Sequence, residues 1–131
     1  LRWAAMTDNA RTLAAWLSDR APVRALHYPR ASDHTATMLN DGAMLTFELA
    51  DGSAARRFVE RVRVAAHATS LGGLETLVSV PARSSHATMP REDRARLGIT
   101  DGLVRVSVGV EDVDDLLADF EAALGPDGEA P

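Results

Sequence analysis

The clearest strand in the sequence reads Leu103-Val104-Arg105-Val106-Ser107-Val108-Gly109-Val110. Its valines alternate with a second set of residues that includes Arg105 and Ser107, and alternate side chains of a strand point to opposite faces of the sheet. The valine face is therefore predicted to be core. Acidic residues and then apolar residues at helical spacing follow directly, which predicts a final helix ending at Leu124 whose dipole favours negative charge at its start.

The remaining periodicities give the fold class. Apolar residues at helical spacing predict helices over 1–17 and 54–64, the second capped by Ser53, and a short charged helix is predicted over 91–97. Apolar runs predict strands over 23–28, 43–49 and 74–80. The segments 30–41, 66–73 and 81–90 are predicted to be irregular. Because helices and strands mix without strict alternation, we expect an α+β fold with a mostly antiparallel sheet and helices packed on one face.

Composition excludes several classes of protein. The chain has 131 residues, 46% of them hydrophobic and 25% charged, which suits one globular domain rather than a disordered or membrane protein. It has no cysteine, and all 14 basic residues are arginine, set against 19 acidic residues. Disulfides and thiol nucleophiles are therefore excluded, and no basic patch for nucleic acid is expected.

No apolar run approaches the roughly 20 residues needed to cross a bilayer, and no signal peptide is recognisable, so a cytoplasmic location is the default expectation. Leu1 reads as the interior of a helix, and residues 125–131 have the composition of a linker or tail. We expect a domain over residues 1–124 that is a piece of a longer protein.

Few residues stand out as candidates for chemistry. Periodicity alone favours a solvent-exposed Arg105, although arginine's planar fork also suits a bidentate carboxylate clamp. The run Ser70-Leu71-Gly72-Gly73 could offer backbone N–H groups to an anion, but most Gly-Gly pairs are plain turns. The four histidines have no metal-ligand spacing, His86 is expected to brace its loop, and no catalytic residue is predicted.

Several motifs resemble the C-terminal domain of the Cys/Met-metabolism (trans-sulfuration) family of pyridoxal phosphate (PLP) enzymes, which includes cystathionine γ-synthase, cystathionine γ-lyase and methionine γ-lyase. The residues that resemble it are Ser70 to Leu77, Pro81-Ala82, Ser85-His86, Glu92-Asp93-Arg94, Leu97-Gly98-Ile99 and Asp101 to Leu117, and more loosely Asn9 to Leu17 and Met44 to Leu49. The resemblance implies the small C-terminal domain of fold-type I PLP enzymes.

The resemblance also implies roles for particular residues. The arginine matching Arg105 binds the α-carboxylate of the amino-acid substrate in that family, and the serine matching Ser70 lines the same pocket, together with its neighbours Thr69 and Leu71. Many cystathionine-cleaving members have glutamate at the position of Thr69, and methionine γ-lyases have a small apolar residue. Thr69 therefore favours a cysteine- or methionine-type C–S lyase over a standard cystathionine enzyme.

The cofactor of that family forms a Schiff base with a lysine in the preceding large domain. This chain has no lysine, so the resemblance implies that PLP is bound mainly by a domain absent from the chain, which alone should be inactive. It implies further a homo-oligomer as part of a complete lyase or transferase acting on a sulfur-containing amino acid. Two alternatives stay open: a stand-alone, non-catalytic relic or interaction domain, and a lyase domain within a larger assembly-line polypeptide.

Overall fold

The architecture rests on a computed structural model that describes residues 1–29 and 40–125. The elements in chain order are α1 (Arg2–Ser18), β1 (Ala25–His27), β2 (Met44–Glu48), α2 (Gly52–Arg61), β3 (Ala66–His67), β4 (Leu77–Ser79), α3 (Arg91–Arg96), β5 (Leu103–Ser107) and α4 (Val113–Leu124). A 3₁₀ turn, Pro81–Arg83, follows β4. No helix in this part of the chain is long and apolar enough to cross a membrane.

The strands form one five-stranded sheet in the order β1-β2-β5-β4-β3. Pairing is antiparallel throughout, except that the short β3 runs parallel to β4. The predicted α+β class with a mostly antiparallel sheet is confirmed. The strand that the sequence marks most clearly, β5, is the central one, with β2 and β4 as its neighbours.

Helices α1, α2 and α4 pack on the valine face of β5, as predicted. Val104 and Val106 are fully buried there, in one cluster with apolar residues of all three helices. The chain's three phenylalanines meet at its centre: Phe58 on α2 lies 5.2 Å from the ring of Phe47 on β2 and 5.1 Å from that of Phe120 on α4. Edge-to-face contacts of this kind add to the stabilisation from burial alone.

A buried carboxylate joins α4 to the residues that follow α2. Asp119 on α4 accepts hydrogen bonds from the backbone N–H groups of Arg63, Val64 and Ala65, at 2.6 to 3.0 Å. These three residues follow α2 and lead into β3. Because a buried carboxylate is costly unless it is hydrogen-bonded, the three amides compensate Asp119 and at the same time fix the start of β3 against α4.

Several local predictions were wrong. The cap of α2 is Asp51, which accepts from the Ala54 N–H, and not Ser53. This capping bond, the largest cause, lowers the pKa of the Asp51 carboxyl. The segment 66–73 contains the strand β3, whose two residues are too few to leave a periodic signal, and β4 begins at Leu77, later than predicted. The predicted connection over residues 30–41 and the tail over 125–131 lie almost wholly outside the described residues.

Two further side-chain contacts join neighbouring segments of the chain. Arg94 on α3 donates to Asp101 at 2.9 Å, and this hydrogen bond is the main reason why the pKa of the Asp101 carboxyl is lowered. Tyr28 donates to the carbonyl oxygen of Gly42 at 2.8 Å, joining the end of β1 to the approach to β2. Burial raises the pKa of the Tyr28 hydroxyl to about 12.

We predict that Val106→Asp abolishes folding. Val106 is fully buried between Leu45 and Val78 on the neighbouring strands, so aspartate would bury an unpaired charge. Such a cost is comparable with the whole stability of a small domain, about 5–15 kcal/mol. Circular dichroism and soluble yield measure the effect, with the exposed substitution Ser53→Asp as control. A V106D protein with a native spectrum and cooperative melting would disprove this assignment of the strand's faces.

Candidate functional site

The site is built around Arg105 in the middle of the central strand. In the strand register Arg105 lies opposite Thr46 of β2 on one side and Ser79 of β4 on the other. Residues directly opposite each other on neighbouring antiparallel strands share one face of the sheet. A row of polar side chains therefore crosses three strands, on the face opposite the valines.

The face of β5 that carries Arg105 is mostly buried and not exposed to solvent. Within β5, Leu103 and Ser107 are buried and Arg105 alone is half-buried, and on β4 both Leu77 and Ser79 are buried. The prediction of an ordinary solvent-exposed face was therefore wrong. Residues 69–76 precede β4 and contact β5 from this side, since the Gly72 N–H donates to Ser107 and the Leu74 carbonyl accepts from the Val110 N–H.

The guanidinium of Arg105 is held by main-chain oxygens. Its Nη2 donates to the carbonyl oxygen of Thr69 at 2.6 Å and contacts that of Ser70 at 3.3 Å. Among the described residues no carboxylate lies within ion-pairing distance of Arg105, and neither Nε nor Nη1 has a hydrogen-bond partner. Arg105 is thus an oriented cation that retains unused donors, which is the arrangement that binds a carboxylate or phosphate.

The segment 69–76 is fixed by β5 and by the residues that directly follow it, 108–111, which we call the strand extension. Ser107 accepts from the Gly72 N–H at 2.9 Å, and the Val110 N–H donates to the Leu74 carbonyl at 2.8 Å. Glu111 accepts from both the N–H and the hydroxyl of Thr76, at 2.5 and 2.7 Å. The carbonyls that hold Arg105 therefore belong to a segment anchored to the same strand as Arg105 itself.

Gly109 is required where this segment crosses the strand extension. Its N–H donates to the Thr76 hydroxyl at 2.9 Å, and a Cβ at this position would collide with the Leu74 carbonyl oxygen. From the other side the Asn9 amide of α1 donates to the carbonyls of Gly109 and Glu111. Glycine is therefore needed here for close approach of two backbones and not for an unusual backbone conformation.

The structure brings together three of the four predicted substrate-binding residues: Arg105, Thr69 and Ser70. The contacts of Thr69 and Ser70 with Arg105 are made by their backbone carbonyls. Leu71 follows them in the same segment and is 60% exposed. The Gly72 N–H, which could have bound an anion, donates to Ser107 instead. His86 hydrogen-bonds Ser85 at 2.8 Å, as expected of a residue that braces its loop.

Sequence reasoning missed Thr76, Ser79, Ser107 and Glu111 as parts of the site. Glu111 was interpreted only as an acidic residue near the start of α4, because nothing in the sequence pairs it with Thr76, which is 35 positions away. A signal for Ser107 was present, since it shares the alternate face with Arg105. That signal could be used only once this face was known to be covered.

We predict that Glu111→Ala loosens the segment 69–76. The substitution removes two charge-assisted hydrogen bonds to Thr76, so we expect a loss of roughly 2 kcal/mol of stability and faster hydrogen exchange at the amides of Gly72 and Thr76. Exchange mass spectrometry and thermal melting measure both. Asp114→Ala, an exposed change in the first turn of α4, is the control. Unchanged protection of both amides in E111A would refute the anchoring role.

Fold and site together define a small α+β domain that presents an oriented, unpaired arginine on its central strand. Comparison with known proteins identifies its family. Residues 1–125 match the family described as Cys/Met metabolism PLP-dependent enzyme, and the chain belongs to that family.

Its relatives agree with this assignment. The chain is 42% identical over 130 residues to cystathionine gamma-lyase of Bacillus subtilis, covering 95% of this chain and 34% of that protein. It is 42% identical over 123 residues to L-methionine gamma-lyase of Pseudomonas putida, covering 88% and 31%. The crystal structure of cystathionine gamma-lyase from Lactobacillus plantarum complexed with L-serine superposes with a TM-score of 0.86 at 40% identity, covering 93% of this chain and 34% of that one. The chain thus spans about a third of the length of the curated relatives it matches.

Proposed function

We propose that this chain is the C-terminal, substrate-binding domain of a PLP-dependent C–S lyase, or of an enzyme of γ-elimination or replacement, acting on a sulfur-containing amino acid. The observation that carries the proposal is Arg105, a half-buried cation without a carboxylate partner among the described residues. We assign it to the α-carboxylate of the substrate, which a guanidinium binds through charge-assisted hydrogen bonds.

Thr69, Ser70 and Leu71 complete the proposed pocket. The first two orient the guanidinium through their carbonyls, and all three residues are exposed. Many cystathionine-cleaving members of the family have glutamate at the position of Thr69, which would place a negative charge close to Arg105. We therefore propose a substrate of the cysteine or methionine type, with an uncharged group at this position of the pocket.

The cofactor itself does not fit the residues of this chain. The sequence has no lysine to attach PLP, and the amides of Gly72 and Gly109 are already bonded to Ser107 and Thr76. When bound, PLP supplies an electron sink for breaking bonds at the substrate's Cα. We propose that a preceding domain holds it, and that this chain contributes binding and orientation of the amino acid.

A surface for that preceding domain lies next to the pocket. Leu71 and Leu74 are 60% and 54% exposed, unusual for leucines in a segment fixed as firmly as this one. Burial of both against a second domain would exclude water from the Arg105 guanidinium and strengthen its attraction for a carboxylate. We propose in addition that the complete enzyme is a homo-oligomer located in the cytoplasm, and that domain 1–124 ends where the tail 125–131 begins.

We predict that Arg105→Ala in the complete enzyme weakens binding of the amino acid by roughly 2–5 kcal/mol, since it leaves a carboxylate without its charged partner. Steady-state kinetics measure this as an increase in KM, with Arg96→Ala on the exposed face of α3 as a control that removes the same charge. The decarboxylated amine analogue of the substrate provides a second control, because its binding should not depend on Arg105. Equal affinity of wild type and R105A for the amino acid would refute the role.

A further prediction concerns the division between domains. We expect the isolated 131-residue chain to show no C–S lyase activity, because it contains no lysine. In the complete polypeptide, borohydride reduction in the presence of PLP should add the mass of the cofactor to a peptide outside residues 1–131. Turnover by the isolated chain, or a labelled peptide within it, would disprove the proposed location of the cofactor.

A further inference from the structure

Ser79 is the one serine of the described part of the chain whose hydroxyl is both buried and unpartnered. Only 1% of the residue is exposed, and its Oγ makes no hydrogen bond within the described residues. A buried hydroxyl without a partner destabilises a fold, so alanine would be the more stable choice at this position. The retention of a hydroxyl points to a partner that is in place only in another state of the protein.

The strand register places Arg105 directly opposite Ser79. Ser79 on β4 and Arg105 on β5 are register partners, so their side chains share one face of the sheet. The segment with Thr69 and Ser70 leaves the sheet from β3, on the far side of β4 from β5. Arg105 reaches the carbonyls of Thr69 and Ser70 from β5, and in the sheet β4 lies between β5 and β3.

The chemistry of the two groups is complementary. Arg105 uses only Nη2 within the described residues, which leaves the N–H of Nε and those of Nη1 without an acceptor. A serine hydroxyl can accept one such hydrogen bond and rotates to suit it. Of the three guanidinium nitrogens, Nε is the nearest to the backbone along the arginine side chain.

We propose that Ser79 is a positioning residue for substrate recognition: its hydroxyl accepts a hydrogen bond from the Nε of Arg105 when the guanidinium holds a carboxylate through Nη1, the terminal nitrogen that the main-chain carbonyls leave free. The inference rests on the proposed function of Arg105. Two main-chain carbonyls fix one end of the guanidinium, and Ser79 fixes the other, so the fork meets the carboxylate in a single orientation. In the ligand-free protein the Ser79 hydroxyl has no hydrogen-bond partner among the described residues.

Ser107 is the natural comparison. It lies on the same face, two residues along from Arg105, and it is as deeply buried as Ser79, but its hydroxyl accepts from the Gly72 N–H. Removing the Ser107 hydroxyl leaves that amide without an acceptor and should lower the melting temperature. Removing the Ser79 hydroxyl in the ligand-free enzyme leaves nothing unpaired, so the melting temperature should stay unchanged or rise.

The test uses the complete enzyme with four substitutions: Ser79→Ala, Ser79→Thr, Ser79→Val and Ser107→Ala. We expect S79A to raise the KM for the amino acid roughly 3- to 10-fold, with kcat changed less than about twofold. Threonine and valine have the same shape and differ in the hydroxyl, so S79T should stay close to wild type while S79V resembles S79A. A KM equal to that of wild type in both S79A and S79V overturns the proposal, as does an equal increase in S79T and S79V.

A double-mutant cycle with Arg105→Lys shows whether Ser79 acts through Arg105. Lysine keeps the charge but has no N–H along its side chain, so S79A should have no further effect on KM in the R105K enzyme. The same fold increase in both backgrounds overturns the proposal. If R105A itself leaves the KM unchanged, the proposed function of Arg105 fails as well. If R105A raises the KM and neither S79A nor S79V does, only the role of Ser79 fails.

Discussion

The structure depends on one constraint: the central strand β5 is covered on both faces. Its valines pack under α1, α2 and α4, and on its other face Leu103 and Ser107 are buried, with the segment 69–76 bonded to Ser107. A strand in this position has no edge and little freedom to shift in register, because a slip of one residue would exchange the two sets of side chains. The position of Arg105 is therefore fixed by the hydrophobic core on the opposite face of the sheet.

The same strand also fixes the groups around Arg105. Ser107 holds Gly72, and Glu111, just beyond the strand, holds Thr76, so the carbonyls of Thr69 and Ser70 are positioned by anchors from the element that contains the arginine. A site whose members share one rigid frame keeps its geometry better than a site assembled from independent loops. The close crossing at Gly109 serves this purpose, since any side chain there would lift the segment away from the strand.

The sequence revealed what depends on local periodicity. Val104 and Val106 were assigned to the core, and the final helix was placed at its observed position, because alternation and helical spacing are properties of neighbouring residues. The burial of Ser79 and Ser107 could not be predicted in this way, since it depends on a segment more than 30 positions from Ser107 that covers the second face. The role of Arg105 came from resemblance to a family, against the exposure that periodicity favoured, and it remains a proposal.

An unpaired arginine and a missing lysine have a common explanation in the proposed function. Two carbonyls hold the guanidinium of Arg105, but no described carboxylate neutralises it, so a local positive charge lies on the surface of the domain. Burying that charge against another surface is unfavourable unless an anion is buried with it. The amino-acid carboxylate would be that anion. Closure of a preceding domain over Leu71 and Leu74 would then be favourable only with substrate in place, so that the apolar contact and the ion pair form together. In the proposed arrangement, substrate binding and the exclusion of water from Arg105 would take place together, and both domains would contribute to it.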